Sequence, residues 1–336
     1  MRLRFARAWQ RLGRRVASAE RETAQRKHET LATRAVLQLR PSKTANIWKR
    51  VQRQEFFWDV RQGIAVAGHE CRFHLLWYAS LPNVGQASVE IAAYAIEAEA
   101  EATHWWFMGR RRLFAREINK TGLPRTSRVL DVGTSTGANL RLLRDLGFQA
   151  ADGLDFSQEA IRYCREKGLG VVRQGDACDM PFADESFNLV LATDIIEHVD
   201  DDMKALREIG RVLGPGGRVL ITVPAFPILW GLQDRVSQHK RRYIRRDLAD
   251  RVTRAGFSIE TCYYFNFLLF LPILVGRRLI DIFRLNVQSE AQLNSPLLNR
   301  MLGAIFAADV AMAPILRPPF GVSILIVARK HECSRQ

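Results

Sequence analysis

The run Arg128 to Gly137, RVLDVGTSTG, constrains this chain more than any other stretch. Val129, Leu130 and Val132 read as a short buried strand, Asp131 stands near its end, and a turn bracketed by Gly133 and Gly137 follows. A helix then opens at Ala138 and carries Leu140, Leu142, Leu143 and Leu146 on its apolar side. A strand that runs through a glycine turn into a helix suits a nucleotide-like ligand. Glycine lets the backbone come close, and the helix start offers free N–H donors. Dinucleotide folds use G-x-G-x-x-G; here the glycines are four apart, no third follows at the required offset, and an acid precedes the first by two positions.

Downstream, the pattern alternates in the way that builds a parallel sheet with helices on both faces. A second strand, Ala150 to Leu154, ends at Asp155, and Ser157 caps a helix that runs to about Lys167. An acid at Asp155 can accept hydrogen bonds from both hydroxyls of a ribose, and Phe156 can lie against an adenine. A third strand, Val171 to Gln174, leads to Gly175-Asp176-Ala177, and Phe187 to Thr193 reads as a buried fourth strand. A helix starts at Asp200 to Asp202, with Leu206, Ile209 and Leu213 on one side. Gly214-Pro215-Gly216-Gly217 stops it before a fifth strand, Arg218 to Val223. Leu248 to Ala255 continues as helix, Phe257 to Tyr264 as a sixth strand, and Val322 to Ala328 as the last.

Several of these stretches resemble one family. RVLDVGTSTG is similar to motif I of the class I S-adenosylmethionine (SAM)-dependent methyltransferases, usually D/E-x-G-x-G-x-G, with Ser135 in place of the central glycine. A carboxylate at Asp131 suits the ammonium of SAM and would repel a pyrophosphate. DIIEHV (Asp194 to Val199) and L-x-P-G-G before the fifth strand resemble the methyltransferase type 11 (UbiE-like) group. HWWFMGRR from His104 and H-x-R-R-Y from His239 resemble a bacterial branch of it. The resemblance implies a Rossmann-like methyltransferase fold: a doubly wound, seven-stranded, mainly parallel sheet with an antiparallel last strand. It implies SAM as cofactor, with contacts at Asp131, Gly133, Thr134, Gly137, Asp155, Phe156, Asp176, Ala177, Thr193 and Asp194, and a lid helix over the cofactor from the HWWF segment. Methyl transfer by in-line displacement onto O, N or C follows, and much of its rate comes from alignment. A hydroxyl or amine acceptor also loses a proton. His239 is the first candidate base, then Tyr243, with His198 standing either as a base or as a structural residue.

The formal charge of +15 invites a nucleic-acid reading, but residues 1–55 hold fifteen Lys/Arg and four Glu, a net +11, which leaves +4 for the remainder. With no N/D-P-P-Y motif and no RNA-binding module, nucleic acid is not an expected partner. Within that basic segment Phe5, Trp9, Leu12 and Val16 recur at helical spacing. It reads as an amphipathic helix for an anionic membrane, a targeting peptide, a nucleic-acid contact, or an unordered extension. We therefore divide the chain into a basic N-terminal extension (1–95), with aromatic clusters around Trp48, Phe56 to Trp58 and Phe73 to Tyr78, and a methyltransferase domain (96–330). Arg110 to Arg112 read as solvated, or as a site for an anionic group.

Before the last strand, residues 266–320 form an apolar helical insertion, basic at Arg277, Arg278 and Arg284. This is a membrane-dipping hairpin, a cap over a greasy substrate, or plain core. It favours a lipid-linked or other small-molecule acceptor. Five scattered cysteines, with no C-x-x-C and no His at ligand spacing, lead to no expected metal and to a reducing, cytoplasmic setting, at a membrane surface if the basic segment binds one. The alternative is a catalytically degenerate methyltransferase fold serving as a membrane-associated assembly or binding factor, a reading that Ser135 keeps open.

Overall fold

The computed structural model describes residues 94, 97–283 and 295–331. The expected extension, its amphipathic segment and its aromatic clusters lie outside the described residues, Tyr94 excepted.

In chain order the elements are α1 (Trp105–Lys120), β1 (Arg128–Val132), α2 (Ala138–Asp145), β2 (Ala150–Asp155), α3 (Gln158–Glu166), β3 (Val171–Gln174), β4 (Phe187–Thr193) and α4 (Asp202–Val212). Then follow β5 (Leu213–Pro224), α5 (Leu232–Val236), α6 (Arg245–Arg254), β6 (Phe257–Phe265), α7 (Phe270–Phe283), α8 (Pro296–Leu316) and β7 (Ser323–Lys330). They form one seven-stranded sheet of order β3-β2-β1-β4-β5-β7-β6. β1 to β5 pair in parallel, and β7 runs antiparallel between β5 and β6. The doubly wound architecture implied by the resemblance is present, antiparallel last strand included.

Continuous apolar runs mark the central strands because both of their faces are covered. Ile324 to Ala328 are buried throughout, as are Leu189 to Ala192. On one face the sheet packs against Leu206 and Ile209 of α4 and Val252 of α6. On the other it packs against Leu113 and Ile118 of α1, Leu143 of α2 and Phe306 of α8. Each such side chain contributes about 1.5–3 kcal/mol by leaving water. Caps set the helix starts where the sequence places them: Ser157 Oγ accepts from Glu159 N–H at 3.3 Å, and Asp201 Oδ1 from Lys204 N–H at 2.9 Å.

Three expectations change. Residues 214–217 do not separate helix from strand, because Leu213 already pairs with Phe187 and the glycines form a register shift inside β5. α6 begins three residues earlier than its apolar pattern suggests, since the Tyr264 hydroxyl accepts from Arg245 N–H at 2.9 Å and caps the first turn. The HWWF segment is not a lid. Trp106 stacks on Phe306 with centroids 5.2 Å apart, and Trp105 meets the same ring edge-on at 5.3 Å, so both indoles pack α1 against α8.

Among the described residues the insertion holds two helices, α7 and α8. α8 is the one described helix long and apolar enough to cross a membrane. Its buried side carries Phe306, Asp309, Val310 and Ala313. The Asp309 carboxylate, fully buried, accepts from the N–H groups of Asn266 (2.6 Å) and Leu268 (2.8 Å) at the end of β6. Asn299 Oδ1 accepts from Trp105 N–H at 2.8 Å.

Candidate functional site

The cofactor half lies at the C-terminal ends of β1, β2 and β3, where ligands bind in open α/β sheets. Asp131 is fully buried on β1; Asn139 donates to its Oδ1 at 2.9 Å, and Oδ2 has no partner among the described residues. Burial pushes its carboxyl up to about 7, Asn139 works against this, and the nearby Asp155 adds to it. A buried carboxylate with an open oxygen fits an ammonium group. Asp155 accepts from Ser135 N–H at 2.7 Å and Ser157 N–H at 2.9 Å, which ties the glycine turn to the tip of β2. Phe156 is 77% exposed beside it, and Asp176 is exposed at the tip of β3. Asp176 Oδ1 accepts from Cys178 N–H at 2.8 Å, and Ala177 is half-buried next to it.

The turn needs its glycines. Gly133 has φ +73°, and a Cβ there would stand 2.7 Å from Ile195 Cδ1; at Gly137 (φ +89°) it would stand 2.5 Å from Leu169 Cδ1. Ser135 adopts the left-handed region as well, at φ 49°. Thr134 faces inward instead of toward a ligand: its hydroxyl donates to the Asp131 carbonyl at 2.9 Å and its N–H to the Leu154 carbonyl at 3.1 Å. Thr193 is likewise committed, its Oγ1 accepting from Asn139 at 2.9 Å, so Asn139 bridges β1 and β4.

What covers the turn is the stretch just before α1. Glu101, buried, accepts from the Thr136 hydroxyl at 2.6 Å and pairs with Lys167 (2.9 Å) and Arg141 (3.0 Å). Glu97, half-buried, faces Ser135. Burial raises its carboxyl, and the nearby Ser135 hydroxyl opposes that rise. From α1 itself Arg110 reaches Asp194 at 2.7 Å while lying over the rings of Trp106 and Phe114. It is part of the site and not a solvated charge.

The acceptor half gathers at the ends of β4 and β5. Asp194 sits in the left-handed region (φ 55°), held by the Thr222 hydroxyl at 3.0 Å. Glu197 is fully buried and neither of its oxygens has a partner from another described residue; burial, with Asp194 nearby, raises its carboxyl well above the ordinary range. The His198 and His239 rings meet edge-on with centroids 4.8 Å apart. Burial, then His239, pushes His198 down to about 4, so its imidazole is neutral at pH 7. His239 is placed by Asp234, whose Oδ1 lies 2.9 Å from Nδ1. Asp234 also takes Arg242 through two bonds (2.8 and 3.0 Å) and Gly231 N–H at 2.8 Å. Burial disfavours that charge, but His239 and Arg242 outweigh it and hold the carboxyl well below the usual range.

Tyr243 does not suit the role of base. It is buried and donates to Asp202 at 2.8 Å, and burial and that carboxylate raise the phenol far above its ordinary value. Arg242 and Arg277 are both buried around Asp234 and the loop after β5: Arg242 donates to the Ala225 carbonyl at 2.8 Å and Arg277 to that of Leu229. Nor does ligand spacing along the chain predict what the fold does here, which is to bring one ligand atom each of Glu197, His198 and His239 within 4.8 Å of one another. Glu97, Asn139, Glu197 and Asp234 are the site residues that sequence reading missed. Glu197 and Asp234 had signals in the DIIEHV run and in the acid five positions before His239.

Sheet order, glycine turn and the pair of strand-end carboxylates give the chain the Rossmann-like fold seen in class I SAM-dependent methyltransferases. Residues 130–221 match the family described as "Methyltransferase domain". The chain is 31% identical over 136 residues (37% of its length, 58% of the relative) to a ubiquinone/menaquinone biosynthesis C-methyltransferase of Bdellovibrio bacteriovorus. It is 37% identical over 118 residues (33% of its length, 55% of the relative) to a phosphatidylethanolamine N-methyltransferase of Cereibacter sphaeroides. It thus spans a little over half the length of these curated relatives. Among solved structures, it superposes with TM-score 0.50 and 19% identity on one chain of the complex between the Haloferax volcanii Trm112 methyltransferase activator and a methyltransferase, covering 73% of this chain and 97% of that one, a likeness of fold.

Proposed function

We propose that the protein transfers a methyl group from SAM to a small-molecule or lipid-linked acceptor. The observation that carries this is the cradle: Asp131 and Asp155 on adjacent strand tips, bridged by a left-handed turn, with Phe156 and Asp176 exposed beyond them. SAM, when bound, supplies a methyl group on a sulfonium that leaves as a neutral thioether. Asp155 holds the ribose hydroxyls, Phe156 faces the adenine and Asp176 takes its amino group. Asp131, with its open buried oxygen, faces the ammonium. Asp194, fixed by Thr222 and Arg110, closes the methyl-donating end. His239, oriented through Nδ1 by Asp234, keeps Nε2 to accept a proton from the acceptor.

Two features support a lipid-linked acceptor at a membrane surface. Leu271, Val275, Leu279 and Ile282 form an exposed apolar stripe along α7, and Leu297 and Met301 stand exposed on α8. The two relatives quoted above are named for a quinone pathway and for phosphatidylethanolamine. The experiment is incubation of the purified chain with methyl-labelled SAM and a bacterial membrane extract, followed by phase partition. Label in the organic phase supports a lipid-linked acceptor, and label in small water-soluble products the other class. No transfer from either phase, with SAM still bound, would return the degenerate reading.

A further inference from the structure

We propose that Glu197, His198 and His239 form a binding site for one divalent first-row transition ion, zinc-like in its ligand preference, with an open position for an oxygen of the acceptor.

The donor set comes first. One carboxylate and two imidazoles are ligands for zinc and its first-row neighbours, and a site with three protein ligands leaves positions for substrate or water. The three ligand atoms lie within 4.8 Å of one another. Around a tetrahedral ion with bonds of about 2.1 Å, ligand atoms stand about 3.4 Å apart, so side-chain rotations of an ångström or so close the set.

A second, independent observation is the state of Glu197. It is fully buried, on a turn one residue before His198, and both carboxylate oxygens lack a partner from any other described residue. A buried carboxyl with no hydrogen-bond partner is unfavourable whether or not it is ionised, and such a group calls for an explanation. Arg110 and Arg242 are near enough to influence Glu197, yet their bonds go elsewhere, to Asp194 and to Asp234. A cation shared with the two imidazoles satisfies it.

The third is the outer shell. A metal-bound histidine usually presents its other ring nitrogen to a carboxylate, which fixes tautomer and orientation. His239 does this with Asp234 at 2.9 Å, leaving Nε2 for the ion, and Asp234 is itself pinned by Arg242 and Gly231. The two halves of the site are also joined through the backbone: Lys240 N–H donates to the Glu197 carbonyl at 2.9 Å, and Arg241 to the Val199 carbonyl at 3.0 Å. The ligands are therefore held together before any ion arrives.

The role rests on the methyl-transfer reading. An acceptor hydroxyl that coordinates the ion gives its proton to solvent. Its oxygen then forms a bond to the methyl carbon while the carbon–sulfur bond breaks and the pair stays on sulfur. The ion lowers the hydroxyl pKa, and His239 serves as ligand in place of base.

The test uses the full chain, stripped with a chelator and titrated with Co²⁺, which shows d–d absorption in the visible when bound by nitrogen and oxygen. The expected result is one ion per chain with structured bands. E197Q and H198Q should lose the bands while keeping the melting temperature, and D234N should weaken binding by about 10–100-fold. Catechol, a bidentate oxygen probe, should shift the bands. Absence of bands in the wild type, or bands unchanged in E197Q and H198Q, overturns the site, and bands indifferent to catechol overturn the open position. SAM affinity is measured on the same samples. SAM binding without Co²⁺ binding sinks this inference alone, and Co²⁺ binding without SAM binding sinks the methyltransferase reading alone.

Discussion

The two halves of the site are built differently. In the cofactor half, each carboxylate sits at the end of a strand and takes its bonds from residues at most twenty positions away: Ser135 and Ser157 to Asp155, Asn139 to Asp131, Cys178 to Asp176. In the acceptor half, Arg110, Asp194, Glu197, Asp234 and His239 come from three separate stretches, tied to the rest by long-range bonds: Arg110 to Asp194, Thr222 to Asp194 and Lys240 N–H to the Glu197 carbonyl. Local construction gives a site that tolerates little change at single backbone positions. Long-range construction gives one whose chemistry changes when a remote helix shifts.

The largest break falls on the cofactor half. G137A places a Cβ 2.5 Å from Leu169 Cδ1 at φ +89°. Left-handed strain and overpacking together should cost about 3 kcal/mol in denaturant melts, with SAM binding lost by calorimetry. Next comes the far side, where D309A leaves two N–H groups unsatisfied at the junction of β6 and α8. The expected loss is about 2 kcal/mol, read by thermal melting, with organic-phase methylation falling more than SAM affinity.

A pH series sharpens the contrast. The folded chain holds the Asp131 proton from its ordinary 3.8 up to about 7, a window in which the unfolded chain has lost it, so this group's contribution to stability falls as pH rises across that window. An ionised Asp131 is what an ammonium needs, so SAM affinity should climb as pH rises through about 7. In D131N the affinity should be weaker and this rise absent. The smallest effect is S135G: freeing a left-handed position at φ 49° should stabilise by about 1 kcal/mol without weakening SAM binding.

The same division explains what the sequence could tell. β1 to β4, the glycine turn, Asp155 and the cap at Ser157 follow from local periodicity and turn chemistry, and the fold kept them. The inward turn of Thr134, the burial of Arg242 and Arg277 around Asp234 and the meeting of Glu197 with two histidines, the histidines 41 positions apart, are tertiary events. Arginine clusters on a surface and around a buried carboxylate look alike as strings. The HWWF helix misled for a related reason: three adjacent aromatics say that rings are buried, and only Phe306, almost 200 residues on, shows against what.

The most direct measurement is the affinity for SAM of the wild type beside D155A, by calorimetry at neutral pH, with melting curves for both. Loss of charge-assisted bonds worth about 1.5–3 kcal/mol should weaken binding by at least about tenfold while the fold persists. Equal affinities in two equally folded proteins would contradict the cradle and the function built on it.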